Sequence, residues 1–129
     1  RDNHYTEVKC GCNEGECGVC LVLLNGELVN SCQVFACSVI GAEVTTVKGV
    51  GTLQNPHVIQ QSLAETGGVQ CGFCTPGFVL AAYSLLKKNP NPSEPEIRKA
   101  LDGNLCRCTG YEKIIDGIQF AAERLNNNH

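Results

Sequence analysis

The sequence predicts an α+β chain in which a small β-rich unit is followed by four helices. Three observations predict it. The ten cysteines fall into two groups, Cys10, Cys12, Cys17, Cys20, Cys32 and Cys37 early and Cys71, Cys74, Cys106 and Cys108 late. A cysteine-free stretch from Ser38 to Gln70 separates them. Across that stretch the hydrophobic pattern changes from strand-like to helical. Lys48 to Pro56 is rich in Gly and polar residues and reads as a linker. The expected units are therefore residues 1–49 and 50–129.

Taken in order, Val19 to Leu24 is a β-rich run of strand length, and Glu27 to Asn30 follows it after Asn25-Gly26. Asn-Gly between two such runs predicts a tight hairpin, because both residues tolerate positive φ. Glu43 to Val47 carries Thr and Val in alternation and reads as a third strand. Asn55-Pro56 predicts a helix start, running through His57, Val58, Ile59, Ser62 and Leu63 to a stop at Gly67-Gly68. Pro76 suits a first helical turn. Phe78, Val79, Ala82, Leu85 and Leu86 then share one face until Asn89-Pro90. Ser93 with Glu96 resembles a capping box for a helix through Ile97 to Leu101. Tyr111 to Leu125 places Ile114, Ile115, Ile118, Phe120, Ala121 and Leu125 along an apolar stripe.

Composition narrows the function. A chain of 129 residues with ten cysteines calls for staples or cofactors. The net charge of −3, without a run of Lys or Arg, gives no footprint for nucleic acid or an anionic membrane. No stretch approaches the apolar length of a membrane span. No secretory signal is visible, so the thiols read as metal ligands in a reducing, cytoplasmic setting rather than as disulfides. The chain begins at Arg1 and contains no Met, which leaves a preceding segment open.

Cys12-x4-Cys17-x2-Cys20, completed by Cys32, has the plant-type ferredoxin spacing for a 2Fe-2S cluster. A tight loop must turn three thiolates inward, and Gly11, Gly15 and Gly18 are expected to supply positive φ and close approach. Backbone N–H groups of such a loop can point at cluster sulfurs and tune the potential. Structural zinc uses two short knuckles, which fits this group less well. Cys71-x2-Cys74 and Cys106-x-Cys108 are less specific alone, and a zinc ribbon remains open there. Both pairs precede predicted helix starts, where thiolates and a negative cluster are favoured. Arg107 either adds positive potential or is simply solvated. Cys10 and Cys37 are expected to be small buried hydrophobes. His4, His57 and His129 are assigned no role, and no nucleotide loop or nucleophile–base pair is present.

The segments Cys12-Asn13-Glu14-Gly15-Glu16-Cys17-Gly18-Val19-Cys20 with Asn30-Ser31-Cys32, Val69-Gln70-Cys71-Gly72-Phe73-Cys74-Thr75-Pro76-Gly77, and Gly103-Asn104-Leu105-Cys106-Arg107-Cys108-Thr109-Gly110-Tyr111 together resemble the iron–sulfur subunit or domain of the molybdenum hydroxylases. That family includes xanthine dehydrogenase, aldehyde oxidoreductase and carbon monoxide dehydrogenase. The resemblance implies a ferredoxin-like β-grasp domain, here lacking its first hairpin, and then a four-helix bundle. It implies two 2Fe-2S clusters, on Cys12, Cys17, Cys20 and Cys32 and on Cys71, Cys74, Cys106 and Cys108. It also implies an electron relay from a molybdopterin centre to a flavin, within an oxidoreductase whose substrate site lies on another subunit. The implied partners are a large molybdopterin subunit and a medium FAD subunit, assembled as a dimer of heterotrimers. Gln70 and Cys108 are the positions implied to approach the pterin. The alternative reading of Gln70 is a polar residue capping backbone groups near the cluster. A free-standing ferredoxin-like carrier and a zinc-stabilised interaction module are the competing readings.

Overall fold

The computed structural model describes residues 3–127 of the chain. Three strands, β1 (Leu21–Leu24), β2 (Glu27–Asn30) and β3 (Val44–Thr45), form an antiparallel sheet in the order β2-β1-β3. Five helices follow: α1 (Val47–Val50), α2 (Val58–Glu65), α3 (Thr75–Lys88), α4 (Glu94–Ala100) and α5 (Glu112–Asn127). Short 3₁₀ turns at Ser31–Gln33 and Ala36–Val39 join β2 to β3.

The hairpin forms where the sequence places it. Asn25 and Gly26 both adopt positive φ, 51° and 85°, and Leu24 pairs with Glu27 across the two-residue turn. Period-2 alternation gives the sheet two faces. Leu21 and Leu23 point into the main core. Val22, Leu24, Val29 and Val44 instead line an apolar cavity of about 240 Å³ on the opposite face. The third strand is shorter than expected. Val47 opens the one-turn helix α1, so the segment read as a linker begins with a helical turn.

Helix α3 departs from the one-faced pattern. Its N-terminal half is buried all round, at Gly77, Phe78, Val79, Leu80, Ala81 and Ala82. Sheet and helices pack on it from every side, which is why it has no polar face to show. Ile59 and Leu63 of α2, Ile97 of α4, and Ile114 and Ile118 of α5 complete the same core. Gly77 sits where α3 passes under the loop before β1. A Cβ there would lie 2.2 Å from the Gly18 carbonyl oxygen.

Helix boundaries follow their caps. The expected capping box of α4 is present: the Glu96 backbone N–H donates to Ser93 Oγ, and Glu96 accepts from the Ser93 N–H at 3.0 Å. Helix α2 starts later than Asn55-Pro56 suggested, and its cap is a residue to which no role was assigned. His57 Nδ1 accepts the Ile59 N–H at 3.1 Å, while Gln60 Oε1 accepts the His57 N–H at 2.8 Å. Burial holds the His57 pKa below its ordinary value, which keeps Nδ1 available as an acceptor.

Two outcomes follow. Gly77→Ala should lower stability by roughly 1–3 kcal/mol, read as a lower denaturation midpoint, because a backbone oxygen blocks the new methyl group. The His57 cap stabilises fully above about pH 6.5 and is lost as pH falls through the lower folded-state pKa. Wild type should therefore lose stability relative to His57→Asn as pH falls from about 7.5 to about 5, read by paired thermal melts.

Candidate iron–sulfur centres

The two cysteine groups are brought beside one another by different means. For the first, the hairpin register decides. Leu21 pairs with Asn30, so Cys20 and Ser31 lie opposite one another just past the paired strands. Ser31 Oγ donates to the Cys20 carbonyl at 2.7 Å, and the Cys32 N–H reaches Cys20 Sγ at 3.5 Å. The loop before β1 supplies Cys12 and Cys17. Each places its backbone N–H 3.4 Å from the other's sulfur. Glu14 and Glu16 also donate N–H bonds to Cys12 Sγ, both at 3.3 Å. These donors bring the Cys12 thiol down to about 7, with the Glu14 N–H the largest cause.

Gly15 and Gly18 adopt the expected positive φ, whereas Gly11 is not in the left-handed region. Its requirement is space, since a Cβ on Gly11 would meet Cys17 Sγ at 2.7 Å. Gln33 was not foreseen. Its Nε2 bridges the Asn13 carbonyl at 3.1 Å and Cys32 Sγ at 3.5 Å, and it lowers the Cys32 pKa. Burial raises that of Cys20.

In the second group, Cys74 is the N-cap residue of α3, as its position before Pro76 predicted. Burial pushes its thiol up to about 12, with Cys106 beside it. The Cys71 and Cys108 sulfurs lie 3.6 Å apart, and this contact raises Cys108. Burial opposes ionisation of Cys106, but Thr109 overrides it through its hydroxyl at 3.2 Å and its N–H at 3.4 Å. Tyr111 Oη accepts the Cys106 N–H at 3.0 Å, and its ring packs edge-on to buried Phe78. Thr109, Gln33 and Tyr111 each sit within five residues of a cysteine, but sequence spacing does not reveal which donor or acceptor points where.

Within each group the thiols lie close together: the Cys12 and Cys17 N–H groups face each other's sulfurs, the Cys32 N–H reaches Cys20 Sγ, the Cys71 and Cys108 sulfurs are in contact, and Cys106 lies beside Cys74. Among the described residues, no three donors gather closely enough to hold one ion. The thiols instead border two cavities, of about 370 Å³ at the first group and 320 Å³ at the second. Four thiols per group match the four thiolates of a binuclear cluster, so the residues present fit 2Fe-2S. Buried Thr75 Oγ1, beside Cys74, has no partner among the described residues and adds a free donor there. Cys12 and Cys17 also border the second cavity. The Leu105 N–H donates to the Cys17 carbonyl at 2.9 Å, joining the two cysteine loops directly.

Residues 46–119 match the family described as 2Fe-2S binding domain. The chain is 48% identical to the nicotinate dehydrogenase small FeS subunit of Eubacterium barkeri, over 98% of this chain and 80% of that one. It is 47% identical to xanthine dehydrogenase of Emericella nidulans over 88% of this chain, but spans only 9% of that protein. The chain belongs to the iron–sulfur subunits and domains of the molybdenum hydroxylases. The structure superimposes on the aldehyde oxidoreductase of Desulfovibrio desulfuricans with a TM-score of 0.93 at 40% identity, covering 97% of this chain and 14% of that one. Mixed helices with a small antiparallel sheet are thus the architecture of this family's 2Fe-2S domains. The protein is an electron-transfer component of an oxidoreductase, built to carry 2Fe-2S clusters.

Other expectations fare differently. Cys10 and Cys37 are not buried hydrophobes, since both are exposed. They sit in irregular or 3₁₀ backbone outside the core, so no apolar face covers them. Gln70 is exposed beside Cys71, and Arg107 is exposed at the second cavity. Among the described residues, no helix is long and apolar enough to cross a membrane.

Gly11→Ala should reduce loading of the first cluster while the second is retained. Iron content and the reduced-state EPR spectrum of the full chain would show this as selective weakening of one signal.

Proposed function

We propose that the chain relays electrons between a molybdopterin centre and a flavin through two 2Fe-2S clusters. Cys12, Cys17, Cys20 and Cys32 hold the first, and Cys71, Cys74, Cys106 and Cys108 hold the second. The carrying observation is the shared wall. Cys12 and Cys17 border the cavity of the second group, and the Cys17 carbonyl accepts the Leu105 N–H next to Cys106. Two redox groups set in these cavities would be neighbours joined by short covalent and hydrogen-bonded routes. Bound clusters supply one-electron steps, while the chain supplies position and tuning. Backbone N–H bonds to Cys12, Cys17 and Cys20 offset negative charge at the first site. Thr109 does so at Cys106.

The same reading gives the chain two units, residues 1–49 as a β-grasp ferredoxin-like part and 50–129 as a four-helix bundle of α2 to α5. The match of the 2Fe-2S binding domain from residue 46 supports this division. The second site opens to the surface at Cys71 and Cys108, both exposed, with Gln70 beside them. That opening is where Gln70 and Cys108 would face the pterin of a large subunit. A medium FAD subunit would take the electrons, in an assembly of two heterotrimers. The small FeS subunit named in Eubacterium barkeri supports a separate-chain arrangement, and the match within xanthine dehydrogenase supports the same part fused to others. A reducing, cytoplasmic setting suits eight ligand thiols.

Cys17→Ser or Cys32→Ser should alter only one of two S = 1/2 signals of the dithionite-reduced chain, and Cys71→Ser or Cys106→Ser only the other. Iron should fall from about four towards about two per chain in each set. The same signal lost from both sets would reject the assignment.

A further inference from the structure

We infer that Cys10 is a reserve thiolate of the first cluster site, able to take the iron that Cys12 serves. This rests on the ligand set proposed above. Cys10 is exposed, so packing does not account for it. It borders the first cavity together with Cys17, Cys20 and Cys32, whereas Cys12 borders the neighbouring cavity. Cys10 is therefore not an isolated surface thiol but one of four that face a single space of about 370 Å³.

Its restraints are light. Cys10 Sγ donates only to Asn13 Oδ1, at 3.4 Å on the surface. Residues 9–12 belong to no helix or strand, and Lys9 is tied to the Val19 carbonyl by one long N–H bond of 3.4 Å. Cys10 and Cys12 are two positions apart, so their Cα atoms lie at most about 7 Å apart. Gly11 between them carries no side chain to obstruct a swing of either neighbour. Cys12, once off the iron, keeps the N–H bonds from Glu14, Glu16 and Cys17 that stabilise its sulfur as a thiolate.

The exchange moves no electrons. The Cys10 thiol releases its proton to solvent and forms the new S–Fe bond. The Cys12–Fe bond breaks, and Cys12 leaves as a thiolate that solvent can protonate. Iron and sulfide would stay in the site, with four cysteine ligands before and after the exchange. The chain would thereby keep its first cluster when Cys12 is displaced or chemically modified.

The test uses the full chain purified anaerobically as wild type, C10A, C12A, C10A/C12A and C17A. Iron, acid-labile sulfide and the EPR spectrum after dithionite are read in each. C10A should match wild type at about four iron per chain. C12A should also keep about four iron, with the first signal shifted in g values, while C10A/C12A should fall to about two with that signal gone. The unchanged second signal in every variant reports that the chain has folded. If C12A alone loses the first cluster as completely as C10A/C12A does, the reserve role is wrong. Full iron in both of those variants would remove both cysteines from the site and overturn it as well. The underlying ligand set is tested separately by C17A, which has no reserve and should lose the first signal. Retention of that signal in C17A would reject the ligand set itself.

Discussion

The backbone seam between the Cys17–Gly18 loop and the Gly77 and Asn104–Leu105 region holds the two cysteine groups beside one another. Gly77 has no side chain, so the Gly18 carbonyl can lie directly on α3. Asn104, buried at 4% exposure, fills the remaining space between Gly18 and Gly77. The Leu105 N–H closes the seam on the Cys17 carbonyl. This directional bond fixes orientation as well as distance. Because the seam joins residues at or next to cysteines of both groups, core packing and the placement of those cysteines depend on the same few atoms.

A second constraint is charge. Clustered thiolates repel one another and resist burial, as the raised pKa values of Cys20 and Cys74 show. The fold answers with local donors at the more open sulfurs. Cys12 is surrounded by three N–H groups, Cys32 by Gln33, and Cys106 by Thr109. In two of the pairs the members differ in character: Cys32 and Cys106 are drawn towards ionisation, while burial holds Cys20 and Cys74 from it. Cluster iron would bind all as thiolates, so cluster loading and proton release are linked.

The core explains why the helical part is more than a holder. Helix α3 carries Cys74 at its start, and its buried residues meet the sheet and the other helices at once. Arg124, stacked on Phe120 and paired with Glu65, pins α5 to α2 at the far end. Tyr111 links this core to the second site, with its ring on Phe78 and its hydroxyl on the Cys106 N–H. Cys71 and Cys108 of the same group are exposed, in contrast to half-buried Cys74 and Cys106.

The spacing Cys12-x4-Cys17-x2-Cys20, the Asn25-Gly26 turn, the Ser93–Glu96 capping box and the position of Cys74 before Pro76 were legible in the chain, because each is set by interactions only a few residues apart. They determined the hairpin, the helix starts and the type of cofactor. The burial of α3 on all sides, the short third strand, the His57 cap and the exposure of Cys10 and Cys37 were decided only by tertiary structure. So was the meeting of the two cysteine groups across Gly18, Gly77 and Leu105. Their physical origin is packing between segments distant in sequence, and neither local propensity nor ligand spacing encodes which backbone atoms will touch.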